Sequence, residues 1–367
     1  GPGDAPLVAS TPGADALERF VATTEPGLDD ALATAENLAS YLATCGATFV
    51  VLPDVPDERA RRRRLGGRLM EDSTGPDRTE MVLRVLRRRG MSAWLEPDLR
   101  RSGALPDLPP PGSPEAIQQG LSRIGPNGEA DGETYQPLHP RVREALKRRL
   151  VEVVTERNDR PGVAGVLVRL GSGPTLLGTP DSGMDDATFQ RFVRETFGAD
   201  VAREIPGLDG NDPGRFAARA QYLAGVGRMP WLTWRSRAVA GLYSELSEAV
   251  RKASPTAVLA LSTPTLDDGP SGAEARRVDL AGLAPSQAWR SLGLDLREWA
   301  SVAEPPIMLR GANLSDEGLT RDLAAHPDLD AQLVDFPRRG FLLLTESAAA
   351  KPARPVATAV PNGDGPS

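Results

Sequence analysis

Cysteine and histidine are nearly absent from this chain of 367 residues, which contains one cysteine, Cys45, and two histidines. A single cysteine excludes an internal disulfide framework and a cysteine-based metal site. It lies on the apolar face of a predicted helix, where the role of a small buried side chain is expected. His139 and His326 are far apart in sequence, so a histidine metal triad is not predicted. We therefore predict no cofactor and no bound metal.

The sequence also lacks long apolar runs. No stretch of about 18 apolar residues occurs, so no membrane span is predicted. The first ten residues, GPGDAPLVAS, lack the basic and apolar parts of a signal peptide. The leading Gly-Pro resembles a protease-cleavage remnant, so localisation is open: removal of an export signal would make the protein extracytoplasmic.

Lysine is scarce as well, occurring only at positions 147, 252 and 351, and acidic residues outnumber basic ones to give a net charge of -7 and a pI of about 5.2. Binding to nucleic acid requires a basic face, so no nucleic-acid partner is predicted. The run Arg61–Arg64 is interpreted as a solvated face. With 40% hydrophobic and 25% charged residues, the composition is typical of a globular protein with a sizeable core.

Short apolar runs alternate with helical patterns along the chain. Helical spacing of apolar residues predicts helices over 29–44, 77–89, 215–223 and 231–253, one that begins at 140 and includes 154, and one that begins at 185 and includes 193. Strands are predicted at 48–52, 91–95, 163–168, 257–261, 306–309 and 340–344. Residues 101–134, rich in proline and glycine, are predicted to be a long loop between a strand end and the next helix.

The alternation of strands and helices predicts an α/β fold with a parallel sheet. A (β/α)8 TIM-type barrel, incomplete or with long inserted loops, fits residues 28–346; a doubly wound open sheet is the alternative. No G-x-G-x-x-G fingerprint follows an early strand, so no dinucleotide site is predicted. Residues 1–27 are predicted to be an N-terminal extension, and residues 347–367 a disordered tail or a linker to further domains of a longer parent chain.

Acidic residues follow two predicted strands at the positions where barrel enzymes hold their catalytic groups. Glu96 and Asp98 stand just past one strand, and Asp54 stands past the strand before it. We predict these three as catalytic residues. The alternative is that they cap the next helix or pair with an arginine, and Glu96–Asp98 also reads as a turn.

Four further residues, namely Tyr135, His139, Arg169 and Asp185, are predicted to contact substrate. Tyr135 can stack on a sugar ring, with a loop anchor as the alternative role. Asp185 lies after a long loop that can place it over the site, although it also suits a helix cap, as does Asp186. His139 precedes Pro140 at a cap position.

Several segments together resemble the family-10-like glycosyl hydrolases, uncharacterised bacterial barrel proteins that are abundant in planctomycetes. The matching segments lie in the same order over about residues 28–346: YQPLHPRV (135–142), VAGVLV (163–168), GMDDATFQRF (183–192), RFAARA (215–220), WLTWR (231–235) and FPRRG (336–340). The resemblance implies a (β/α)8-type barrel that binds a carbohydrate at the carboxyl ends of its strands.

One residue departs from the pattern of the wider group. There the strand that matches 163–168 typically ends in a carboxylate, in a Gly-Ile-His-x-Asp-like pattern, and here Arg169 takes that place. Hydrolysis of a glycosidic bond ordinarily needs two carboxyl groups. An arginine cannot replace one, but it can bind a carboxylated or sulfated sugar.

Three functions follow as hypotheses. The first is a glycoside hydrolase with Glu96 as general acid/base and Asp54 or Asp98 as its partner. The second is a non-catalytic carbohydrate-binding or scaffolding barrel, indicated by Arg169. The third is a barrel hydrolase that uses a metal held by Asp54, Glu96 and Asp98. The sequence alone does not decide whether the protein is an enzyme.

Overall fold

The fold is described from a computed structural model. It covers residues 7–10, 28–44, 47–54, 78–97, 99, 105, 107–157, 162–170, 180–202, 204–263, 290–303, 306–310 and 343–348. In chain order the elements are β1 (Leu7–Ser10), α1 (Leu28–Thr44), β2 (Ala47–Asp54), α2 (Arg78–Arg88), β3 (Ser92–Pro97), α3 (Pro114–Gln118), β4 (Ser122–Ile124), β5 (Ala130–Tyr135), α4 (Pro140–Arg157), β6 (Val163–Arg169), α5 (Asp186–Ala202), α6 (Arg215–Ala224), α7 (Arg228–Ala253), β7 (Val258–Thr263), α8 (Leu296–Ala300), β8 (Ile307–Arg310) and β9 (Leu343–Ala348).

Seven of these strands form a closed parallel ring in the order β1-β2-β3-β6-β7-β8-β9. Each strand pairs with the next, and β9 pairs with β1 to complete the ring. The predicted parallel α/β sheet is therefore confirmed, and the open-sheet alternative does not fit because the ring has no free edge. The antiparallel hairpin β4-β5 lies outside the ring.

Two apolar clusters divide the interior. The larger cluster lies between the strands and the helices and contains residues from both. The smaller one contains only strand residues, namely Val51, Trp94, Leu167 and Ala260, with Phe49, Ala164 and Val258 packed against it. Because its members come from neighbouring strands and from no helix, this smaller cluster fills the inside of the ring. Side chains in a strand alternate between these two environments.

Gly165 shows why a glycine stands in the middle of β6. A Cβ atom at this position would lie 1.9 Å from the backbone oxygen of Val258, and φ is +153°. The register between β3 and β6 also shifts next to it. Only glycine allows β6 and β7 to approach this closely.

The boundaries differ from the sequence predictions in three places. Strand β1 lies within residues 1–27, which were predicted to precede the barrel, and it joins the ring through β2 and β9. Strand β9 begins three residues and ends four residues later than predicted, and it takes in residues 347 and 348. The predicted loop at 101–134 contains α3, β4 and most of β5. Residues 349–367 lie outside the described residues.

Candidate active site at the barrel end

The strand-end acids Asp54 and Glu96 lie on opposite faces of the sheet. In the register of β2 and β3, Asp54 pairs with Pro97 and Glu96 pairs with Pro53. Paired residues of parallel strands point to the same face, and consecutive residues point to opposite faces. Glu96 shares the face of Trp94, inside the ring, whereas Asp54 shares the face of Leu52, which packs in the outer cluster. The two predicted catalytic acids therefore do not meet.

Asp54 is held in an ion pair with a helix of the outer layer. Its Oδ2 accepts a hydrogen bond from Nη2 of Arg149 in α4, with an N–O distance of 2.5 Å. Both side chains are buried, with 2% and 9% of their surface exposed. Arg149 also contacts Glu152, one turn along α4. This ion pair fixes α4 against the end of β2, which is a structural role.

Glu96 lies inside the ring, above an aromatic floor. Trp94, two residues earlier on β3, is fully buried and stacks on Phe49, with ring centroids 5.1 Å apart. Glu96 itself is half-buried, as expected of a group at the mouth of a barrel. The carboxyl ends of barrel strands are the usual place for catalytic side chains. The structure thus puts Glu96, but not Asp54, in a position to reach a ligand inside the ring.

The closure of the ring adds a backbone position, that of Glu346, which the sequence analysis did not consider. Glu346 of β9 pairs with Val8 of β1, and Val8 pairs with Phe49 of β2. Phe49 packs against the cluster inside the ring, so the backbone position of Glu346 is on the inward-facing register. The register can also be followed the other way around the ring, from the inward-facing Ala260 of β7 through β8 to β9. It again gives an inward-facing backbone position for Glu346.

The backbone positions of Glu346 and Glu96 lie at similar heights on opposite walls of the ring. In the order of the ring, β9 and β3 are three strands apart, the greatest separation that seven strands allow. The register leads from Glu346 through Val8 and Phe49 to Ser92. Glu96 lies four residues beyond Ser92 on β3. Because barrel strands are tilted, positions at one height along the barrel axis advance by about one residue from each strand to the next, which is about three residues over these three steps. Glu96 is therefore about one residue above the level of Glu346.

The segment 180–186, here called the clamped loop, follows β6 and is fixed by buried side chains of the helix layer. Arg235 donates to the carbonyl of Ser182 at 2.9 Å, and Arg219 donates to the carbonyl of Met184 at 2.6 Å. The indole of Trp231 donates to the carbonyl of Pro180 at 2.7 Å. Both arginines are fully buried. Three donors to the backbone make this loop a rigid part of the barrel rim.

The hairpin β4-β5 is attached to the same loop. The backbone nitrogens of Gly183 and Met184 both donate to the carbonyl of Ile124, at 3.1 and 3.0 Å. Gln136, just after β5, donates through Nε2 to Oδ2 of Asp185 at 2.9 Å. The sequence analysis missed these positioning residues, because buried arginines and glutamines carry no signal that distinguishes them from surface ones.

Asp185 caps α5 instead of facing a ligand. Its Oδ1 accepts a hydrogen bond from the backbone nitrogen of Thr188 at 2.9 Å, the geometry of a helix N-cap. The side chain is fully enclosed, and burial raises the pKa of Asp185 to about 6, partly offset by hydrogen bonds from Thr188 and Gln136. Asp186 pairs instead with Arg215 and Arg219.

The raised pKa of Asp185 predicts a pH dependence of stability. The folded protein keeps the Asp185 proton up to about pH 6, whereas the unfolded chain releases it near its ordinary pKa of 3.8. The free energy of unfolding therefore falls as pH rises between these values, by about 3 kcal/mol in total. The variant Asp185→Asn keeps a side-chain oxygen that can cap α5, but it has no carboxyl proton to release. Urea unfolding from pH 4 to 7 should show the variant gaining stability relative to wild type, and parallel curves would contradict the assignment.

Tyr135 ends β5, and His139 lies in the connection from β5 to α4. The Tyr135 hydroxyl donates to the carbonyl of Pro109 at 3.1 Å, and its burial raises the pKa of this phenol. Nδ1 of His139 accepts from the backbone nitrogen of Arg141 at 3.3 Å, and burial, with the Arg141 charge, lowers the pKa of His139. These contacts fit the structural roles that the sequence offered as alternatives to substrate binding, a loop anchor for Tyr135 and a helix cap for His139.

Two predicted residues lie at the edge of the described structure. Arg169 ends β6, and its backbone pairs with Ser262 of β7, but its side chain is outside the described part. Asp98 lies outside the described residues altogether. Among those that are described, no three His, Cys, Asp or Glu side chains come together as a metal site. No helix in the described ranges is long and apolar enough to cross a membrane.

One solved enzyme domain is similar in fold to this chain over nearly its whole length. The catalytic domain of β-amylase from Paenibacillus polymyxa matches 94% of this chain and 92% of its own length, at 10% identity and a TM-score of 0.50. The chain has a glycoside-hydrolase-like fold. This confirms the broad resemblance predicted from the sequence, whereas membership of the family-10-like group stays a prediction.

Two other matches are weaker by TM-score. The glycoside hydrolase domain of PgaB (BpsB) from Bordetella bronchiseptica matches 94% of this chain and 93% of its own, at 14% identity and a TM-score of 0.44. A β-galactosidase from the psychrophilic Marinomonas ef1 matches 84% of this chain, at 12% identity and a TM-score of 0.46, and the chain spans 40% of its length. No protein-family model and no curated protein sequence matches the chain.

Proposed function

We propose that this chain is a glycoside-hydrolase-like barrel of the (β/α)8 class that acts on a carbohydrate, with Glu96 as general acid/base. The observation that carries the proposal is the position of Glu96 inside the ring at the carboxyl end of β3. The likeness of the fold to a β-amylase catalytic domain supports it by analogy.

Glu346 is the partner that we propose for Glu96. Glycoside hydrolysis uses two carboxyl groups on either side of the scissile bond. One donates a proton to the leaving oxygen, while the other attacks the anomeric carbon or removes a proton from the attacking water. Inward-facing positions on opposite walls, at similar heights, suit these two roles. Asp54 is excluded from this pair because its carboxylate lies on the helix side with Arg149.

The remaining predicted residues keep subsidiary roles in the proposal. Asp98, two residues after Glu96, is retained as an alternative partner. Arg169 ends the strand between β3 and β7 in the ring, so a guanidinium there suits a substrate with a carboxylate or sulfate group. The clamped loop and the hairpin β4-β5 would form the wall of the substrate cleft on this side.

A non-catalytic carbohydrate-binding barrel is the second candidate. The observation that favours it is Arg169, which stands where the wider family typically has a carboxylate. With one acid fewer than expected on β6, the site can bind a sugar without breaking its bond.

A paired assay separates the two candidates. The wild-type chain is incubated with a panel of neutral, carboxylated and sulfated oligosaccharides, and released reducing ends are measured. The same compounds are presented on a glycan array to measure binding. We expect hydrolysis of at least one compound, with a preference for anionic sugars. Binding without hydrolysis would support the second candidate, and neither binding nor hydrolysis would overturn both.

A further inference from the structure

The inward-facing register of the ring continues from β3, which carries Glu96, onto the next two strands. Leu167 of β6 pairs with Ala260 of β7, and both belong to the cluster inside the ring. Two residues further along, Arg169 pairs with Ser262. Because alternate residues of a strand lie on the same face, the backbone positions of Arg169 and Ser262 are on the inward-facing register as well.

The residues that precede Arg169 and Ser262 give the same assignment of faces. Val168 of β6 and Leu261 of β7 both pack in the larger cluster, between the strands and the helices. Arg169 and Ser262 follow them directly in the sequence. Consecutive residues of a strand lie on opposite faces, so both positions are again on the side of the ring interior.

Glu96, Arg169 and Ser262 occupy successive places around the ring and are here called the polar arc. Their strands, β3, β6 and β7, are neighbours in that order. The register of β3 and β6, extended by one pair beyond Leu95 and Val166, places Glu96 opposite the residue two before Arg169. Because positions at one height advance by about one residue per strand, Arg169 lies about one residue above Glu96. Ser262 lies at about the height of Glu96.

The charges on the inward-facing register do not cancel. Within the described strands of the ring, this register contains two acidic positions, Glu96 and Glu346, and one basic position, Arg169. An anionic sugar placed between two carboxylates alone would be repelled. Arg169 supplies a compensating charge on the strand next to Glu96. A guanidinium has five donors, so it can serve a bound anion and a neighbouring carboxylate at the same time.

The geometry points to an anion subsite at Arg169 that binds a carboxylate or sulfate on the sugar ring at the scissile bond itself. This inference rests on the proposed function and deepens it, because it fixes where in the substrate the anionic group lies. Neighbouring strands are about 4.8 Å apart, so the backbone positions of Glu96 and Arg169 are separated by no more than the width of a sugar ring. An anionic group several sugars away from the bond would not reach Arg169.

Para-nitrophenyl glycosides test this subsite, because each carries a single sugar and so confines the anionic group to the ring at the bond. The panel contains α- and β-linked pairs that differ in one group: glucose and glucuronic acid, galactose and galacturonic acid, and glucose and its sulfate ester. Titration followed by NMR measures Kd, and release of nitrophenol measures hydrolysis. We expect the wild type to bind at least one anionic member about tenfold or more tightly than its neutral partner.

Arg169→Gln removes the charge and should lower this affinity ratio to near one, whereas Arg169→Lys keeps the charge and should retain part of the ratio. Arg84→Gln is the matched control, because it also removes one positive charge, but Arg84 pairs with Glu80 on the outer surface of α2. It should keep the wild-type ratio. Thermal unfolding checks that the variants are folded. Should Arg169→Gln fail to fold, Arg169→Lys still decides, because loss of the planar fork must lower the ratio for the carboxylate pairs.

The outcomes separate the subsite from the proposed hydrolysis. Anionic members that bind through Arg169 without being hydrolysed would support the subsite and overturn the hydrolysis. Hydrolysis of the neutral members with no preference for the anionic ones would support the hydrolysis and overturn the subsite. A ratio that survives in Arg169→Gln would also overturn the subsite, and no binding by any member would overturn both. A preference for the uronic acids or for the sulfate ester would support the subsite and identify its anion.

Discussion

Glu96→Gln is expected to lower kcat/KM by about 10²- to 10⁴-fold on any glycan that the wild type hydrolyses, because the amide cannot transfer a proton to the leaving oxygen. Glutamine has nearly the same shape, so binding of the glycan and thermal unfolding should change little. The pH profile of kcat/KM should also lose the limb that reports the acid/base group. A role in folding alone would leave that profile unchanged.

Two variants make this experiment specific. Glu346→Gln should cause a loss of similar size, since the opposite carboxylate is equally required. Glu80→Gln is the control, because Glu80 pairs with Arg84 on the outer surface of α2, and it should keep wild-type activity. Full activity in Glu96→Gln would refute the assignment, and loss in Glu96→Gln alone would move the partner role from Glu346 to Asp98.

Arg149→Met is expected to lower the free energy of unfolding by about 3–5 kcal/mol. The change removes the guanidinium from the buried Asp54 carboxylate and leaves that charge in an environment from which water is largely excluded. The apolar part of the side chain is kept, so the loss reports the charge pair more than the packing. Guanidinium chloride unfolding, followed by circular dichroism, measures it.

The neighbouring residue supplies the control for this prediction. Arg148 pairs with Asp107, but both of these side chains are about 60% exposed. Arg148→Met should therefore change stability by less than about 1 kcal/mol. The double variant Asp54→Asn/Arg149→Met should recover part of the loss, because no buried charge remains. Equal effects of the two single arginine variants would contradict a buried pair.

The sequence predicted six of the seven strands of the ring but did not predict which way their polar residues face. All residues from Phe49 to Leu52 are apolar, so alternation gives no hint that Asp54 points to the helices. Its direction depends on how β2 packs between the ring interior and α4. Glu96 has the same kind of apolar strand before it and faces the other way. Such differences arise from pairing register, which is a property of two strands together.

The elements that the sequence analysis missed or misplaced, namely β1, β9 and β5, have related causes. Strand β1 has only four residues, among glycines and prolines, and its pairing with β2 and β9 supplies the order that its own sequence does not indicate. The last strand was predicted about three residues too early, which left Glu346 outside it. The polar strand β5 lacks an alternating apolar pattern and is formed through contacts with β4. Pairing with another strand explains all three, over a long range for β1 and β9 and within a hairpin for β5.

The pairing of β1 with β9 also has a consequence for synthesis of the protein on the ribosome. On the order of 300 residues separate the two strands. At typical translation rates, β9 is therefore synthesised tens of seconds after β1, and until then β1 lacks this pairing partner. During this time the partial sheet has two open edges, which can pair with other chains. We expect slow acquisition of the final structure, since contacts between distant parts of a chain form late. Crowded expression conditions should therefore reduce the yield more than the stability of the finished barrel would suggest.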